Sequence, residues 1–393
     1  MNELHIDKTH WKKYRFGDVA IQTKEVVDIE NTDLTRYVAG EHMFSEDIHL
    51  RKWGTIGDGY LGPAFIRKFN KGDILYGSRR TYLKKVAIAD FDGITANTTF
   101  VIKANEDLIE PVLLAHLMLS HDFTEYSVKN SRGSVNPYIN WKDIADYEFL
   151  LPPKAEQKRL AELLWAADEM VEKEKREIEL LREHIQIYIN DNCNIAGQPK
   201  ISFSDLVEVN PITRFNEKEV SLITMPDVSE EGEITHHEKV TPSDYKGKGL
   251  TPFQENDILF AKITPCMENG KGTIARGLFN CFGLGSSEFH VLRPKTASDL
   301  YFCYYLTMSK RFRKLAEKQM TGSAGQKRVQ VEFFDFYKLH APSKEDREII
   351  GGKLYEIDCS IAALKQQITL SLQIKQELIN NIYPIWIKVP SNT

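Results

Sequence analysis

Cysteine is scarce in this chain, and the few cysteines that occur do not form a motif. Five are present among 393 residues, and they are scattered (Cys193, Cys266, Cys281, Cys303 and Cys359). No two of them stand at the CxxC spacing of zinc sites and thiol redox centres. This scarcity argues against a disulfide scaffold and predicts a reduced, cytoplasmic chain with free thiols.

Long apolar runs are missing as well. No stretch reaches the roughly 18 uncharged apolar residues from which a membrane-spanning helix is recognised. Residues 1–16 are polar and of mixed charge, so they lack the apolar centre of a secretion signal. Apolar residues make up 42% and charged residues 27% of the chain, which is typical of a globular protein without a membrane segment.

Motifs that would support catalysis are absent or incomplete. There is no GxxxxGK[ST] loop for a nucleotide phosphate. Asn136-Pro137-Tyr138 lacks the second proline of the adenine-methyltransferase tetrad, and no glycine motif for a methyl donor accompanies it. Asp227 with Asp244 and Lys246 matches only the loosest nuclease pattern, and His236-His237 has no third ligand at metal-binding spacing. We therefore expect a non-catalytic chain that binds no cofactor or metal itself; a self-contained nuclease or methyltransferase is the least favoured hypothesis.

An internal repeat is the main positive feature of the sequence. Phe16-Gly17-Asp18-Val19 corresponds to Phe203-Ser204-Asp205-Leu206, and Gly72-Asp73-Ile74-Leu75-Tyr76 corresponds to Asn256-Asp257-Ile258-Leu259-Phe260. Leu151-Pro152-Pro153 corresponds to His340-Ala341-Pro342, and Asp168 corresponds to Asp358. The copies stay nearly in phase, so the chain is predicted to contain one domain twice. DNA is a common partner that presents two sites at a fixed separation.

Each copy ends in a predicted long helix with a narrow apolar seam. The first seam comprises Leu160, Leu164, Val171, Ile178, Leu181 and Ile185, and the second comprises Leu354, Ile357, Ile361, Leu364 and Ile368. Two apolar positions per heptad are typical of a coiled coil. Glu174 and Ser371 are polar residues at seam positions, where they are expected to weaken packing and to help fix the register.

One seam of this width cannot bury itself, so the two helices are predicted to pair antiparallel; the alternative is that each packs on its own domain. The predicted fold is α+β, with strand-rich domains at residues 1–152 and 198–341 and spacer helices at residues 153–192 and 342–384 that form a pseudo-twofold antiparallel coiled coil. Within the domains, residues 86–89, 99–102, 258–260 and 288–292 are predicted strands. Residues 111–120 and 300–318 are predicted helices, and Pro384 is expected to end the last helix.

Loops rich in Arg, Lys, Ser and Asn follow equivalent elements in both copies. Because the net charge is −5, any DNA-binding surface must be a local patch. Such side chains reach base edges and phosphates. The candidates in the first copy are Ser78, Arg79, Arg80, Tyr82, Lys84, Lys85, Arg132, Ser134, Asn136 and Tyr138. Those in the second are Lys262, Asn269, Lys271, Ser286, Ser287, Gln326, Lys327 and Arg328.

With these motifs the chain resembles the specificity subunits of type I restriction–modification systems over nearly its whole length. The most specific stretches are residues 257–272 (DILFAKITPCMENGKG) and 283–294 (GLGSSEFHVLRP), which look like the family's target-recognition domain. Residues 151–159 (LPPKAEQKR) look like the start of its conserved helices. The second copy of that start, residues 340–347, departs from the pattern, which puts strict twofold equivalence in doubt.

The resemblance implies two recognition domains that each bind half of a bipartite site in double-stranded DNA, with the helix pair fixing the spacer. It also implies two modification subunits, which use S-adenosylmethionine to methylate adenine, and restriction subunits that need ATP and Mg²⁺. Because the halves differ outside their anchors, an asymmetric target is expected. The alternative from another class is a duplicated-domain coiled-coil scaffold that does not bind DNA.

Overall fold

The computed structural model describes residues 6–193, 197–323 and 325–383. These residues divide into two compact units. The first unit comprises the described residues up to 174 together with residues 366–383, and the second comprises the described residues of 175–365. The predicted end of the last helix at Pro384 lies outside the described residues.

The first unit is built on two four-stranded sheets and a short strand pair. Its strands are β1 (Lys12–Arg15), β2 (Ala20–Thr23), β3 (Arg36–Val38), β4 (Gly54–Thr55), β5 (Phe65–Phe69), β6 (Ile74–Gly77), β7 (Val86–Ile88), β8 (Gly93–Ala96), β9 (Thr99–Ala104) and β10 (Glu148–Leu151). The sheets have the orders β4-β3-β8-β5 and β2-β9-β6-β7, and β1 pairs with β10. The helices are α1 (Phe16–Val19), α2 (Pro111–Leu117), α3 (His121–Lys129), α4 (Trp141–Ala145) and α5 (Lys154–Asn192), whose residues from 175 onward belong to the second unit.

The second unit repeats this topology strand for strand and adds one short strand pair. Its strands are β11 (Lys200–Ser202), β12 (Val207–Val209), β13 (Val220–Ile223), β14 (Glu238–Val240), β15 (Thr251–Gln254), β16 (Ile258–Ala261), β17 (Gly272–Ile274), β18 (Phe282–Gly285), β19 (Phe289–Pro294), β20 (Met320–Thr321), β21 (Arg328–Val329) and β22 (Lys338–His340). The orders are β14-β13-β18-β15 and β12-β19-β16-β17, with pairs β11-β22 and β20-β21. The helices are α6 (Leu300–Met308), α7 (Lys310–Lys318), α8 (Phe333–Phe336) and α9 (Lys344–Ile382), whose residues from 366 onward belong to the first unit.

Equivalent glycines show how closely the copies agree. Gly93 in β8 lies opposite Phe69, and Gly283 in β18 lies opposite Phe253. A Cβ atom would lie 2.6 Å from the Phe69 ring at the first position and 2.3 Å from the Phe253 ring at the second. Only glycine lets these buried rings lie directly over the neighbouring strand. The repeat therefore preserves packing as well as strand order.

The long helices run antiparallel where their contacts are described in the first unit. Lys375 Nζ on α9 lies 2.5 Å from Asp168 Oδ1 on α5, and Gln367 Nε2 donates to Glu174 Oε1 at 2.7 Å. Residue numbers rise along one helix as they fall along the other, which confirms the predicted antiparallel arrangement. Ser371 also donates to Glu174 at 3.3 Å, so the two polar seam residues are hydrogen-bonded partners.

The seam side chains lie inside the units. Leu164, Val171, Ile178, Ile185, Leu354, Ile357 and Ile361 are buried, whereas Leu160, Leu181, Leu364 and Ile368 are half-buried. The helices also pack on their domains, because Leu164 and Ile379 belong to the core cluster that contains Leu114 and Phe123. The two alternatives from the sequence are therefore combined in the first unit.

One aspartate in each long helix is bonded to the domain helix beside it. Asp168 Oδ2 lies 2.8 Å from His116 Nε2 on α2, while His116 Nδ1 lies 2.8 Å from Val112 O. Both ring nitrogens thus lie within hydrogen-bonding distance of an oxygen atom. Burial raises the pKa of Asp168, but His116 and Lys375 outweigh it and lower that pKa below its ordinary value. All three side chains are buried.

The corresponding aspartate of the second unit is more open. Tyr305 on α6 donates a hydrogen bond to Asp358 on α9, and Arg276 Nη1 lies 3.3 Å from Asp358 Oδ2. The Asp358 side chain keeps 31% of its exposure and that of Arg276 keeps 39%. Water therefore screens this ion pair, in contrast to the buried group at Asp168.

The predicted single helix over residues 300–318 is wrong. Ser309 has extended backbone angles and ends α6, and its side chain accepts a hydrogen bond from Phe312 N at 3.3 Å as the N-cap of α7. Ser120 does the same for Phe123 N between α2 and α3, also at 3.3 Å. The serine hydroxyl favours a break in the helix because it accepts a hydrogen bond from a backbone amide in the first turn of the next helix. That amide has no partner within its own helix.

Candidate nucleic-acid interface

Two loops of the first unit, residues 78–85 and 131–138, lie against each other and form what we call the first loop face. Isolated bridges join Tyr138 to both Arg79 and Arg132. Arg80 N donates to Pro137 O at 2.7 Å, and Ile139 N, directly after the second loop, donates to Ser78 O at 2.9 Å. Backbone hydrogen bonds thus hold together two loops that the sequence separates by about 50 residues and that were predicted independently.

Basic side chains of the first loop face differ in how they are held. Arg80 Nε donates to Asn136 Oδ1 at 3.2 Å, and the Arg79 guanidinium carbon lies 6.0 Å from the centre of the Tyr138 ring. Arg132 Nη2 lies 3.4 Å from Asp143 Oδ2 and remains mostly exposed. These three guanidinium groups are therefore presented to solvent around one tyrosine.

Two predicted lysines of this face are engaged within the domain. Lys84 Nζ lies 2.6 Å from Glu46 Oε1, and Lys85 Nζ donates to Gly40 O at 2.5 Å. Tyr82 and Ser134 are exposed, whereas Ser78 is buried and donates its hydroxyl to Thr98 O at 2.6 Å. The arginines are therefore better placed than these two lysines to meet a ligand.

A cavity of about 550 Å³ opens beside the first loop face. Its lining includes four basic residues, Lys24, Arg67, Arg79 and Lys142, and, among the described residues, no carboxylate. Gln22 also lines it, and within the described part of the chain its buried Oε1 atom has no hydrogen-bond partner. A concave surface with one sign of charge attracts polyanions, and the unpaired amide oxygen can accept from a donor that enters.

The second unit carries an equivalent surface, the second loop face, formed by residues 262–271, 286–288 and 326–328. Isolated pairing joins Ile263 to Arg328. Arg328 Nε lies 2.9 Å from Glu288 Oε2, and Nη2 lies 2.9 Å from Oε1, so the pair is bidentate. The hydrogen bond from Arg328 is the largest effect on Glu288 and lowers the pKa of its carboxyl.

Other candidates in the second loop face contact their own domain. Asn269 Nδ2 donates to Glu230 Oε1 at 2.8 Å, and Lys271 Nζ donates to Met225 O at 3.1 Å. Ser286 Oγ accepts from Glu288 N at 3.2 Å. Ser287, Gln326 and Lys327 are exposed, and Lys262 is half-buried. The side chains of Asn269 and Lys271 are thus bound to residues 225–230, whereas those of Ser287, Gln326 and Lys327 are exposed on the second loop face.

The backbone of the first loop face is fixed by three hydrogen bonds. Ser78 N donates to Thr98 O at 3.1 Å, and Ser78 O accepts from Ile139 N at 2.9 Å. Arg80 N donates to Pro137 O at 2.7 Å. All three bonds use main-chain atoms, so they do not depend on which side chains the loops carry.

The same three bonds recur in the second loop face. Lys262 N donates to Glu288 O at 2.9 Å, and Lys262 O accepts from Val329 N at 2.9 Å. Thr264 N donates to Lys327 O at 3.0 Å. Equivalent main-chain atoms thus support two surfaces whose side chains differ.

His290 connects the second loop face to the sheet behind it. Its Nε2 donates to Val329 O at 2.9 Å, so its Nδ1 is free to accept from Asn210 Nδ2 at 3.1 Å. Burial is the main cause that lowers the pKa of His290 to about 4. The ring is therefore neutral at pH 7; its equivalent in the first unit is Phe100.

Several residues of the cavity were missed by the sequence prediction. Gln22, Lys24 and Arg67 lie far from the loops in sequence, Lys142 lies four residues beyond the second loop, and no local pattern marks them. Asn97 could have been found, because the repeat aligns it with Ser287, which was predicted. Alignment of the two copies can therefore identify candidate residues from the sequence. Residues that come together only through strand pairing cannot be identified in this way.

None of the helices in the described ranges is long and apolar enough to cross a membrane. Among the same residues, no group of three or more His, Cys, Asp or Glu side chains could hold a metal ion.

A family model for the type I restriction modification DNA specificity domain matches residues 9–183 and again residues 187–373. Each match contains one of the two loop faces described above. The chain is also similar to the Escherichia coli type I restriction enzyme EcoEI specificity subunit, with 35% identity over 190 residues, which is 47% of this chain and 32% of that protein. The EcoAI specificity subunit of Escherichia coli is 37% identical over 187 residues, or 47% of this chain and 30% of that protein. The chain spans about a third of the length of these curated relatives.

Solved structures share the fold. A chain from work on complex assembly and conformational transition of the type I restriction–modification system superposes with a TM-score of 0.55 at 17% identity, covering 96% of this chain and 99% of that one. The type I system S subunit from M. genitalium gives a TM-score of 0.54 at 12% identity, covering 98% and 99%. Because the family model accounts for most of the sequence, with one copy for each loop face, the chain belongs to the type I restriction–modification specificity-domain family.

Proposed function

We propose that this chain is the DNA sequence-specificity subunit of a type I restriction–modification complex. Each loop face binds one half of an asymmetric bipartite site in double-stranded DNA, and the helix pair fixes the spacer. The observation that carries the proposal is the shared main-chain frame beneath two loop faces with different side chains. Such a frame gives each loop face the same backbone conformation, while the different side chains let the two faces prefer different bases.

Chemistry would then be supplied by other proteins. Two modification subunits with S-adenosylmethionine would methylate adenine in each half-site, and restriction subunits would use ATP and Mg²⁺, in the cytoplasm. This chain would bind none of these cofactors and catalyse no step. The scaffold alternative gains no support from the cavity of the first unit, because four cations around an opening with no carboxylate in its described lining suit a polyanion.

The test is to map adenine methylation in a host that carries the complete system, with and without this gene. We expect one bipartite motif to disappear with the gene and to return when the full chain is restored. Unchanged methylation together with no sequence-selective DNA binding by the assembled complex would exclude the proposal and favour the scaffold.

A double variant assigns the first loop face to a half-site. Arg79→Ala with Arg80→Ala should relax one half-site, with each lost base contact changing discrimination by about 1–3 kcal/mol. The matched control is Lys84→Ala, whose ammonium is already paired with Glu46. Equal weakening on every DNA sequence would make the two arginines phosphate anchors and would remove them from base reading.

The spacer role has its own test. One heptad inserted after Glu174 and another after Lys365 lengthen both helices by about 10 Å, or roughly three base-pair steps, while keeping the seam in phase. Contacts described within each unit are left intact. The preferred spacer should lengthen with both half-sites unchanged, and a constant spacer would exclude the helix pair as its ruler.

A further inference from the structure

The Arg328–Glu288 pair occupies a specific place in the second loop face. Glu288 directly precedes β19, and Arg328 begins β21, so the two residues come from segments 40 positions apart in sequence. Main-chain bonds pin both segments to Lys262, which donates to Glu288 O and accepts from Val329 N, each at 2.9 Å. The ion pair therefore joins two anchored backbones and does not depend on a mobile loop.

Contacts of the guanidinium leave part of its hydrogen-bonding capacity free. Nε and Nη2 are directed at the Glu288 carboxylate, and Nη1 donates to Gln326 O at 3.1 Å. These contacts engage three of the five N–H donors of an arginine, and the Arg328 side chain remains 38% exposed. The planar group is thus held in one orientation with donors still available to a ligand.

A guanidinium held in this way suits one DNA base. Guanine presents two acceptors, O6 and N7, in the major groove, and arginine donates to both in a bidentate contact. Restraining the side chain before binding removes much of the entropy that an arginine otherwise loses. At the equivalent places the first unit has Tyr138 and Thr98, so these two positions carry no arginine–carboxylate pair.

We infer that Arg328 is the residue of the second loop face that reads a guanine, and that Glu288 is a positioning residue that holds it in plane. This inference rests on the proposed function and adds a base identity to it. Lys262 and the exposed Lys327 flank the pair as phosphate-directed cations. The half-site read by the first unit has no counterpart of this contact.

The experiment replaces the gene in a host that carries the complete system and maps adenine-methylation motifs. Arg328→Ala should lower discrimination for guanine at one position of one half-site by roughly 10- to 100-fold, with the other half-site unchanged. Arg328→Lys keeps the charge but loses the fork, and should broaden the same position. Glu288→Gln should broaden it to a smaller extent, because the restraint on the guanidinium is weakened.

A second bidentate pair in the same unit provides the matched control. Arg293 Nε and Nη2 each lie 2.7 Å from Asp257 carboxylate oxygens at the opposite end of the β16–β19 pair. Arg293→Lys should reduce thermal stability and leave the motif as it was. This separates loss of an ion pair from loss of a base contact.

The possible results are distinguishable. If Arg328→Lys and Glu288→Gln give stable complexes whose motif matches the wild type at every position, the guanine assignment is overturned while the specificity function stands. If the intact gene directs no motif at all, the proposed function fails and this assignment fails with it. Broadening confined to one guanine supports both.

Discussion

The two loop faces share a main-chain frame and differ in almost every side chain directed outward from it. Ser78 and Lys262 make the same pair of backbone bonds. Above that frame the first face has a cavity lined by four cations, whereas the second has Arg328 neutralised by Glu288. Because amides and carbonyls carry the frame, side chains can change without loss of the fold. Surface side chains can therefore diverge in a repeat whose architecture is retained.

The aspartates of the two long helices show the reverse relation between the units. Both units place an aspartate of a long helix against a domain helix, but Asp168 is buried with Lys375 and His116 as partners and Asp358 is partly exposed. The residue is shared and its environment is not. The same side chain in different surroundings contributes differently to the free energy of unfolding, so the contrast between the two units can be measured.

Replacing the two aspartates should give the largest contrast. Asp168→Asn leaves the buried Lys375 without its counter-charge, and should destabilise the first unit by about 3–5 kcal/mol. Asp358→Asn removes a screened pair and one hydrogen bond, and should destabilise the second unit by about 1 kcal/mol. Hydrogen exchange measured by mass spectrometry resolves each unit separately. Similar losses in the two units would contradict the assigned environments.

The pH dependence of that contrast has a definite sign. The pKa of Asp168 is lowered in the folded chain relative to its ordinary value of 3.8. Its contribution is therefore present above pH 3.8 and is lost as the pH falls through the folded pKa. The stability gap between the wild type and Asp168→Asn should accordingly narrow below about pH 4.

His290 makes the stability of the second unit depend on pH, whereas the equivalent residue of the first unit, Phe100, does not titrate. Replacing His290 should remove this pH dependence. The folded pKa of His290 is about 4 against an ordinary 6.5, so the unfolded chain binds a proton that the folded chain does not between these values. Stability of the second unit should fall by on the order of 3 kcal/mol as the pH drops from 6.5 to 4. His290→Phe, which copies Phe100 of the first unit, should flatten this slope in hydrogen exchange.

His290→Phe also removes the hydrogen bonds to Val329 and Asn210, so a uniform loss of about 1–2 kcal/mol at pH 7 is expected. The diagnostic quantity is the slope between pH 6.5 and 4. His236 is exposed, and His236→Phe serves as the control that should keep the wild-type slope. Retention of that slope in His290→Phe would place the titrating group elsewhere.

The sequence was sufficient for the architecture because the architecture is periodic. The anchors around Phe16 and Phe203, together with the heptad seams, predicted two domains and two antiparallel helices. It was not sufficient for the helix break at Ser309, because the run from Leu300 to Lys318 contains no glycine or proline and a single capping serine decides the break. Local propensity is a weak guide where one side-chain bond competes with it.

The loop faces were predicted in part for a similar reason. Loops at matching places in the repeat drew attention to Arg79, Tyr138 and Arg328. Within each unit the structure pairs two of these loops, Arg79 with Tyr138 in the first and Ile263 with Arg328 in the second. The bidentate partner of Arg328 was not anticipated, because Glu288 approaches it only through the order of β16 and β19. Pairing between distant strands is set by the whole sheet, and a local spacing does not encode it.

The smallest expected contrast concerns the two capping serines. Ser120 and Ser309 are both buried, accept from Phe123 N and Phe312 N at 3.3 Å, and donate to carbonyls at 2.7 and 2.8 Å. Replacement of either by Ala should destabilise its own unit by about 1 kcal/mol. Since the contacts match in both units, the two losses should agree within about 0.5 kcal/mol, the usual scatter of independent sites. Hydrogen exchange of α3 and α7 measures the two losses in stability. Clearly unequal losses would mean that the two serines do not stabilise their units in the same way.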